Sequence, residues 1–319
     1  MKTAKEKLDS VRTEVGRIVV GQANIVDGIL RALLANGHVL VEGVPGIGKT
    51  LLARSLSTTI GCSFKRIQFT PDLLPSDLIG ITTYSKEKGF TVVKGPIFAN
   101  VVLGDEINRA PPKVQSALLE AMQERQATIG RETFVLQAPF FILATQNPLE
   151  SLGVYPLPQA QVDRFLFKLL ITYPSAEEEQ LILNKNITVR DFSDYNLKAV
   201  LSAKEVIWLQ SLTQEIYVAP EVEKYIVRLV DSTRRPAEYG LKNAKFIEYG
   251  CSPRASIGLY SAAKAQALMQ GKNFVSPQNV KEVALDVLRH RIILNYEGQA
   301  ENVSTDAIVQ ELLAKVRVP

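Results

Sequence analysis

A glycine-rich segment followed by a lysine and a threonine is the pattern in this chain best suited to binding phosphate. It reads Gly43-Val-Pro-Gly-Ile-Gly-Lys-Thr50 and has the spacing G-x-x-x-x-G-K-[ST]. Its glycines let backbone N–H groups curl around phosphate oxygens, and the start of a helix adds positive potential. Lys49 would reach the β- and γ-phosphates, and the hydroxyl of Thr50 would bind Mg²⁺. The predicted nucleotide contacts in this segment are Gly43, Pro45, Gly46, Ile47, Gly48, Lys49, Thr50 and Leu51.

Two adjacent acids end an apolar run about 55 residues further on, at Asp105 and Glu106. In a parallel sheet the carboxyl ends of the strands face the ligand crevice, so these acids are expected to face the phosphates. Asp105 would then hold Mg²⁺, while Glu106 would orient and deprotonate an attacking water. The second acid favours hydrolysis of ATP over transfer of its phosphoryl group to an acceptor.

A third apolar run, 140–144, leads into the polar residues Thr145 and Asn147. Either side chain could reach the same crevice and hold the γ-phosphate or the attacking water. An Asn-Pro pair is also an ordinary turn starter, so the spacing alone leaves both interpretations open.

The elements that would position these residues alternate between short apolar runs and helical patterns, which predicts an α/β fold with a mostly parallel sheet. The expected strands span 38–42, 64–69, 100–105, 139–145 and 165–171. The expected helices between them span 49–60 and 111–125. Two segments break the alternation and are predicted to be hairpins, at 81–94 and 128–136.

From about residue 174 the pattern becomes purely helical. Four serines are predicted to cap helices, because acids or a proline follow them at the spacing of a helix start; they are Ser175, Ser202, Ser252 and Ser276. We therefore expect an α/β nucleotide-binding domain over 1–175 and a smaller, helical domain over 176–319. Trp208 is predicted to lie in the core of the second domain.

Composition bounds the class of protein. The 319 residues, 46% hydrophobic and 22% charged, indicate a globular chain of about two domains. A net charge of +4 does not by itself indicate a nucleic acid or a membrane as partner. No apolar run approaches the roughly 18–20 residues of a membrane span, and no secretory signal is visible. With two cysteines, a reducing compartment is the simpler interpretation, so we expect a soluble, intracellular protein.

Four residues with reactive side chains are not expected to do chemistry. His38 and His290 are isolated from any cysteine or carboxylate cluster and do not suggest a zinc site. Cys62 and Cys251 are interpreted as packing thiols rather than nucleophiles.

Taken together, these segments resemble the MoxR family of AAA+ ATPases. The resemblance covers nearly the whole chain and depends on the motifs at 43–50, 95–98, 105–112, 115–124, 144–148, 155–165 and 252–255. It implies an AAA+ core with a parallel sheet flanked by helices, followed by an all-α lid. It also implies that ATP and Mg²⁺ are the cofactors.

The resemblance assigns further roles that spacing could not. Asn147 matches sensor 1, and Arg164 matches the arginine finger that enters the neighbouring subunit's site. Arg254 matches sensor 2, which the lid contributes to the nucleotide of its own subunit. Val20 and Gly21 belong to the segment that passes the adenine. Arg109 is similar to an interface arginine, with a structural salt bridge as the alternative.

The function implied by the resemblance is MgATP hydrolysis at the subunit interfaces of a cytoplasmic, hexameric ring. Similar proteins couple it to chaperone-like maturation of a protein client, often with a partner that carries a von Willebrand factor A domain. Their two hairpins project toward the pore or a partner; a role as mere connections is the alternative. Two alternatives stay open: a nucleic-acid translocase, which the modest charge and the composition of the hairpins disfavour, and a nucleotide-dependent scaffold with little turnover, which the intact Glu106 disfavours.

Overall fold

A computed structural model describes residues 1–87, 89–148, 153–185 and 191–319 of the chain. Its strands are β1 (Val39–Gly43), β2 (Phe64–Gln68), β3 (Gly80–Ser85), β4 (Gly89–Lys94), β5 (Val101–Asp105), β6 (Gln126–Ile129), β7 (Glu132–Val135), β8 (Phe141–Gln146), β9 (Phe167–Ile171), β10 (Ile247–Tyr249) and β11 (Ile293–Leu294). Its helices are α1 (Lys2–Gly16), α2 (Ala23–Leu34), α3 (Lys49–Thr59), α4 (Pro75–Ile79), α5 (Pro112–Glu124), α6 (Gln159–Val162), α7 (Ala176–Asn184), α8 (Ala203–Gln214), α9 (Pro220–Arg234), α10 (Pro253–Met269), α11 (Pro277–Leu288), α12 (Tyr296–Ala300) and α13 (Thr305–Lys315).

Five parallel strands form the central sheet in the order β2-β5-β8-β1-β9. Strands β5 and β8 are buried along almost their whole length, which is why both faces of each are apolar in the sequence. The five predicted strands are confirmed, with ends that differ by one or two residues. Because the strands are parallel and in register, the ends of β1, β5 and β8 lie at the same edge of the sheet.

Helices cover both faces of this sheet. On one face, α5 buries a stripe of apolar side chains at helical spacing, formed by Val114, Leu118, Ala121 and Met122. On the other, α1, α2 and α3 share one apolar cluster with α8 to α11 and α13. The α/β part and the helical part therefore pack through a continuous core, and their division at residue 175 stays a prediction.

The second half of the chain is mainly helical, and its four predicted serine caps are confirmed. The hydroxyl of each accepts a hydrogen bond from the backbone of the first helical turn, in α7, α8, α10 and α11. Two expectations were wrong. A short antiparallel pair, β10 and β11, interrupts the helices, and Trp208 is 42% exposed because the buried face of α8 is formed by residues 206, 209, 210 and 213.

Both predicted hairpins are present, as β3–β4 and β6–β7. Lys88, in the first turn, lies outside the described residues. The ammonium of Lys94 lies 4.9 Å from the ring centroids of Phe98 and Phe134, which ties the first hairpin to the second. The rings of Tyr84 and Phe90 contact each other across β3 and β4 and are 66% and 79% exposed. Among the described residues, no helix combines the length and the apolar character needed to cross a bilayer.

Candidate active site

The phosphate-binding loop connects β1 to α3, as its motif predicts. Gly46 and Gly48 have φ angles of +83° and +81°, a conformation that residues with a Cβ adopt at a cost. A Cβ at either position would meet no atom within 4 Å, so glycine is needed for backbone conformation and the loop surface stays open. Residues 45–51 line a cavity of about 800 Å³, a volume suited to a nucleotide.

Lys49 begins α3 and is 91% buried within the loop that it follows. Its ammonium donates a hydrogen bond to the carbonyl of Gly43, with 2.7 Å between Nζ and O. This bond keeps a positive charge at the N-terminus of α3, where the helix dipole also favours an anion. The loop therefore presents both a cation and a helix N-terminus to the cavity.

The two acids at the end of β5 are held by Thr145 of β8, whose side chain is fully buried. Thr145 Oγ1 donates to Asp105 Oδ1 at 2.6 Å and accepts from the backbone N–H of Glu106 at 2.9 Å. Glu106 has a φ of +59°, which is uncommon for a residue other than glycine and costs energy that the surrounding contacts must supply. The bond from the Glu106 N–H to Thr145 supplies part of it, and both acids line the cavity.

Two residues of β2 that the sequence analysis did not identify contact these acids. Arg66 binds Asp105 Oδ2 through Nη2 at 2.6 Å and Nε at 3.1 Å, and the amide of Gln68 donates to Glu106 Oε2 at 2.9 Å. Arg66 and Gln68 are two residues apart and thus share a face of β2. In the sequence, these two polar residues stand on either side of an apolar one, which is the pattern of a strand with one polar face. That pattern does not identify the neighbouring strand, and it is the order of the sheet that places β2 next to β5.

Arg109 also binds Glu106, with 2.9 Å between Nη1 and Oε2. This contact is the structural salt bridge, the alternative role of Arg109. Together with the Gln68 amide, it holds Oε2 of the carboxylate.

The other end of the cavity is apolar and combines two parts of the chain. Val20 belongs to it, as the resemblance implies, whereas Gly21 has a φ of +74° and packs against Glu178 of α7. The amide of Gln22 fastens this segment to the phosphate loop by donating to the carbonyl of Ile47 at 2.7 Å. The residues that line this end and were not predicted are Ile18, Tyr173, Pro174, Glu179, Ile182 and Leu183.

Thr50 and Asp105 both line the cavity and offer the oxygen ligands that Mg²⁺ prefers. Such a metal usually keeps several waters and takes only one or two protein ligands beside the phosphates of its substrate. The two side chains therefore fit MgATP, provided that Arg66 yields part of its contact with Asp105.

Five predicted residues do not line the cavity within the described part of the chain: Gly21, Gly43, Asn147, Arg164 and Arg254. Asn147 follows β8 at the same edge of the sheet as the acids, and its side chain is buried. Arg164 instead precedes β9, where Phe167 pairs with Val39 at the start of β1. Since β1 rises about 3.3 Å per residue, Arg164 is separated from the phosphate loop by roughly 13 Å or more.

Arg254 lies at that same far edge. Its Nη1 atom is 3.8 Å from Oδ2 of Asp163, the residue before Arg164. The geometry therefore differs from the expectation that Arg254 reaches the nucleotide of its own subunit. The reason is the parallel register of β1 and β9, which places Asp163 and the phosphate loop at opposite edges of the sheet.

The two histidines and two cysteines lie away from the cavity lining. Burial lowers the pKa of His38 to about 4, and its ring bonds to the backbone of Met122 and Ile142. Burial raises the pKa of both thiols to about 11. The described contacts of these side chains are those of packing groups.

Sequence comparisons agree with this geometry. The profile of the ATPase family associated with various cellular activities (AAA) matches residues 38–167, and that of the AAA lid domain matches residues 241–312. Chaperone MoxR1 of Mycobacterium tuberculosis is 46% identical over 308 residues, which cover 96% of this chain and 81% of that protein. Protein MoxR of Paracoccus denitrificans is 31% identical over 319 aligned positions, which cover 95% of this chain and 93% of that protein.

A solved structure matches the whole architecture. The crystal structure of a proposed ATPase from Cytophaga hutchinsonii is similar to this chain with a TM-score of 0.93 and 48% identity, over 99% of this chain and 96% of that one. Because the relatives extend along nearly the whole sequence and the cavity joins a phosphate-binding loop to two acids, the chain belongs to the MoxR family of AAA+ ATPases and is an ATP hydrolase.

Proposed function

We propose that this chain assembles into a hexameric ring and hydrolyses MgATP at the interfaces between its subunits. Within one subunit, Lys49 and the loop bind the phosphates, while Thr50 and Asp105 hold Mg²⁺. Glu106 deprotonates the attacking water and Asn147 positions it. When bound, Mg²⁺ neutralises charge that develops on the phosphate oxygens.

The position of Arg164 carries this proposal. Its Nε atom is buried and has no hydrogen-bond partner among the described residues, although a buried guanidinium normally finds one. It lies at the edge of the sheet away from its own phosphate loop, as does Arg254. A head-to-tail ring joins two different surfaces of adjacent subunits, and in the ring proposed here the edge that carries Arg164 faces the phosphate loop of the next subunit. Both arginines would therefore serve the neighbouring nucleotide.

The arginine in the cavity itself, Arg66, does not replace them. Two hydrogen bonds to Asp105 already engage its guanidinium at the metal-binding carboxylate. A separate arginine placed at the γ-phosphate would spread the charge of the transition state, an effect worth about 10³–10⁵ in rate. Because each site would then need arginines from the adjacent subunit, hydrolysis would be coupled to movement of the subunits within the ring.

We further propose that this movement remodels a protein client in the cytoplasm, with a partner that carries a von Willebrand factor A domain. The name of the relative Chaperone MoxR1 supports a chaperone role. The exposed aromatic pair of the first hairpin, Tyr84 and Phe90, supplies an apolar surface of the kind that contacts proteins. The free thiols Cys62 and Cys251 suit a reducing compartment.

The test is the ATPase rate per subunit as a function of protein concentration, for the natural chain and for Arg164→Ala and Glu106→Gln. We expect the rate to rise as the ring assembles and to be lost in both variants. Arg317→Ala, which removes an exposed arginine near the C-terminus, is the matched control and should keep the natural rate.

A rate that stays constant while sizing shows only monomer, or an Arg164→Ala variant with full activity, would contradict the shared site. Two further measurements separate the alternatives. Strong stimulation by single-stranded DNA that falls with salt would favour a nucleic-acid translocase. A Glu106→Gln variant indistinguishable from the natural chain would favour a scaffold.

A further inference from the structure

A buried arginine outside the cavity binds the backbone on both sides of Arg164. The side chain of Arg291, three residues beyond the end of α11, is only 3% exposed. Its Nη2 atom donates to the carbonyl of Asp163 at 3.2 Å and to that of Phe165 at 2.7 Å. Its Nη1 atom donates to the carbonyls of Leu166, at 3.1 Å, and Val287. One guanidinium thus joins the helical part of the chain to the segment 163–166.

The same guanidinium reaches Arg254 through the carboxylate of Asp163. Nε of Arg291 donates to Oδ1 of that carboxylate at 2.8 Å. The other oxygen, Oδ2, accepts from the hydroxyl of Ser252 at 2.8 Å and lies 3.8 Å from Arg254. Ser252 caps α10, the helix that carries Arg254 at its second position. Asp163 therefore links the two arginines assigned to the neighbouring site.

The residue next to Arg291 holds the segment as well. His290 Nε2 lies 3.1 Å from the carbonyl of Phe165, and the backbone carbonyl of His290 accepts from the amide of Gln159 in α6. The segment around Arg164 is thus bound to the end of α11 on both sides. Of the polar groups that meet there, Arg291 makes the largest number of described bonds.

Stabilisation of the fold alone is a weak explanation for the buried guanidinium of Arg291. Burial lowers the pKa of Arg291, and Asp163 acts in the opposite direction, so the ion is retained at a desolvation cost. Apolar residues of similar volume often replace buried ion pairs with no loss of stability. What an apolar side chain cannot supply is a planar fork that sets the direction of several carbonyls at once.

We infer that Arg291 is a positioning residue for hydrolysis: by binding the carbonyls on both sides of Arg164, and Arg254 through Asp163, it sets the spacing of the two arginines presented to the neighbouring nucleotide. This inference rests on the proposed function, because it requires a site shared between subunits. It predicts a defect in turnover without a defect in nucleotide binding, since Arg291 and the phosphate loop lie at opposite edges of the sheet.

The experiment mixes inactive variants. Glu106→Gln subunits keep Arg164 and Arg254 in position but lack the base that activates water. Arg291→Lys subunits keep a complete nucleotide cavity but lose the guanidinium of Arg291. Alone, Arg291→Lys should bind a fluorescent ATP analogue with a Kd within about 2-fold of the natural value and hydrolyse ATP about 10–100-fold more slowly. Mixed 1:1 with Glu106→Gln, it should recover up to about a quarter of the natural rate, because random assembly pairs an intact cavity with intact arginines in that share of interfaces.

Two further mixtures interpret the result. Arg164→Ala with Glu106→Gln should also recover activity, and if it does not, the shared site itself is wrong. Arg291→Lys with Arg164→Ala should not recover, because both variants lack the same half of the interface. If the Arg164 mixture recovers and the Arg291 mixture does not, the positioning role is refuted.

Arg291→Met provides a second variant, with similar bulk and no charge. The same pattern of unchanged binding, slow turnover and recovery on mixing is expected. If both substitutions instead abolish nucleotide binding or folding, measured by circular dichroism, Arg291 serves the fold rather than the shared site and the inference is overturned.

Discussion

Replacing Thr145 with valine removes a single hydroxyl from the centre of the site at almost constant volume. That hydroxyl donates to Asp105 and supports the backbone N–H of Glu106, at 2.6 and 2.9 Å, in a fully buried position. A hydrogen bond to a charged group contributes about 1.5–3 kcal/mol, and a buried donor left without a partner costs about 1–3 kcal/mol. We therefore expect the free energy of unfolding to fall by about 3 kcal/mol.

The same substitution should reduce catalysis, because it frees both acids from their shared support. Loss of an outer contact to a metal ligand typically costs about 10–100-fold in activity or metal affinity. Urea unfolding would measure the first effect, and steady-state ATPase assays over a range of Mg²⁺ concentrations the second. Thr145→Ser is the control, since it keeps the hydroxyl and should retain most of the natural rate.

The reasoning would be refuted by a Thr145→Val variant with natural stability and a natural rate. A stable variant with a slow rate would show instead that the hydroxyl positions the acids at no cost to the fold. A serine variant as slow as the valine variant would show that the hydroxyl alone does not account for the effect, because serine keeps it.

Three further predictions concern single residues. Gly21→Ala should lower stability by about 1–2 kcal/mol, because its φ of +74° disfavours a Cβ and the new atom would lie 2.6 Å from the Glu178 carboxyl group. Gly16→Ala, in α1 with nothing within 4 Å, is the control and should not lower stability in the same thermal melts, because alanine is favoured over glycine in a helix. Burial lowers the pKa of His38 in the folded chain to about 4, below the ordinary 6.5, so the unfolded chain binds a proton more readily. The free energy of unfolding should therefore fall by about 3 kcal/mol as pH falls from 6.5 to 4. A His38→Gln variant whose unfolding shows the natural pH dependence would contradict this. Cys251 is 1% exposed with a pKa raised to about 11, so iodoacetamide at pH 8 should modify it only after denaturation, as mass spectrometry of native and urea-treated protein would show.

Local features of this molecule could be predicted from the sequence because neighbouring residues determine them. The phosphate loop occupies eight consecutive positions, and its glycines and lysine act on one another within a single turn. The strands and the serine caps are likewise set by periodicity and by the first turn of each helix. Trp208 was misplaced for a related reason: an apolar side chain near an apolar stripe is buried only if it faces the neighbouring element.

The family, the phosphate loop, the two acids and the five strands of the central sheet could thus be predicted from the sequence alone. Which distant residues meet is a property of the folded chain. The sheet order places Arg66 and Gln68 beside the acids, almost forty positions away along the chain. The parallel register of β1 and β9 moves Arg164 and Arg254 to the edge opposite their own phosphate loop. Such contacts depend on how strands pair across the core, and no short stretch of sequence specifies that pairing.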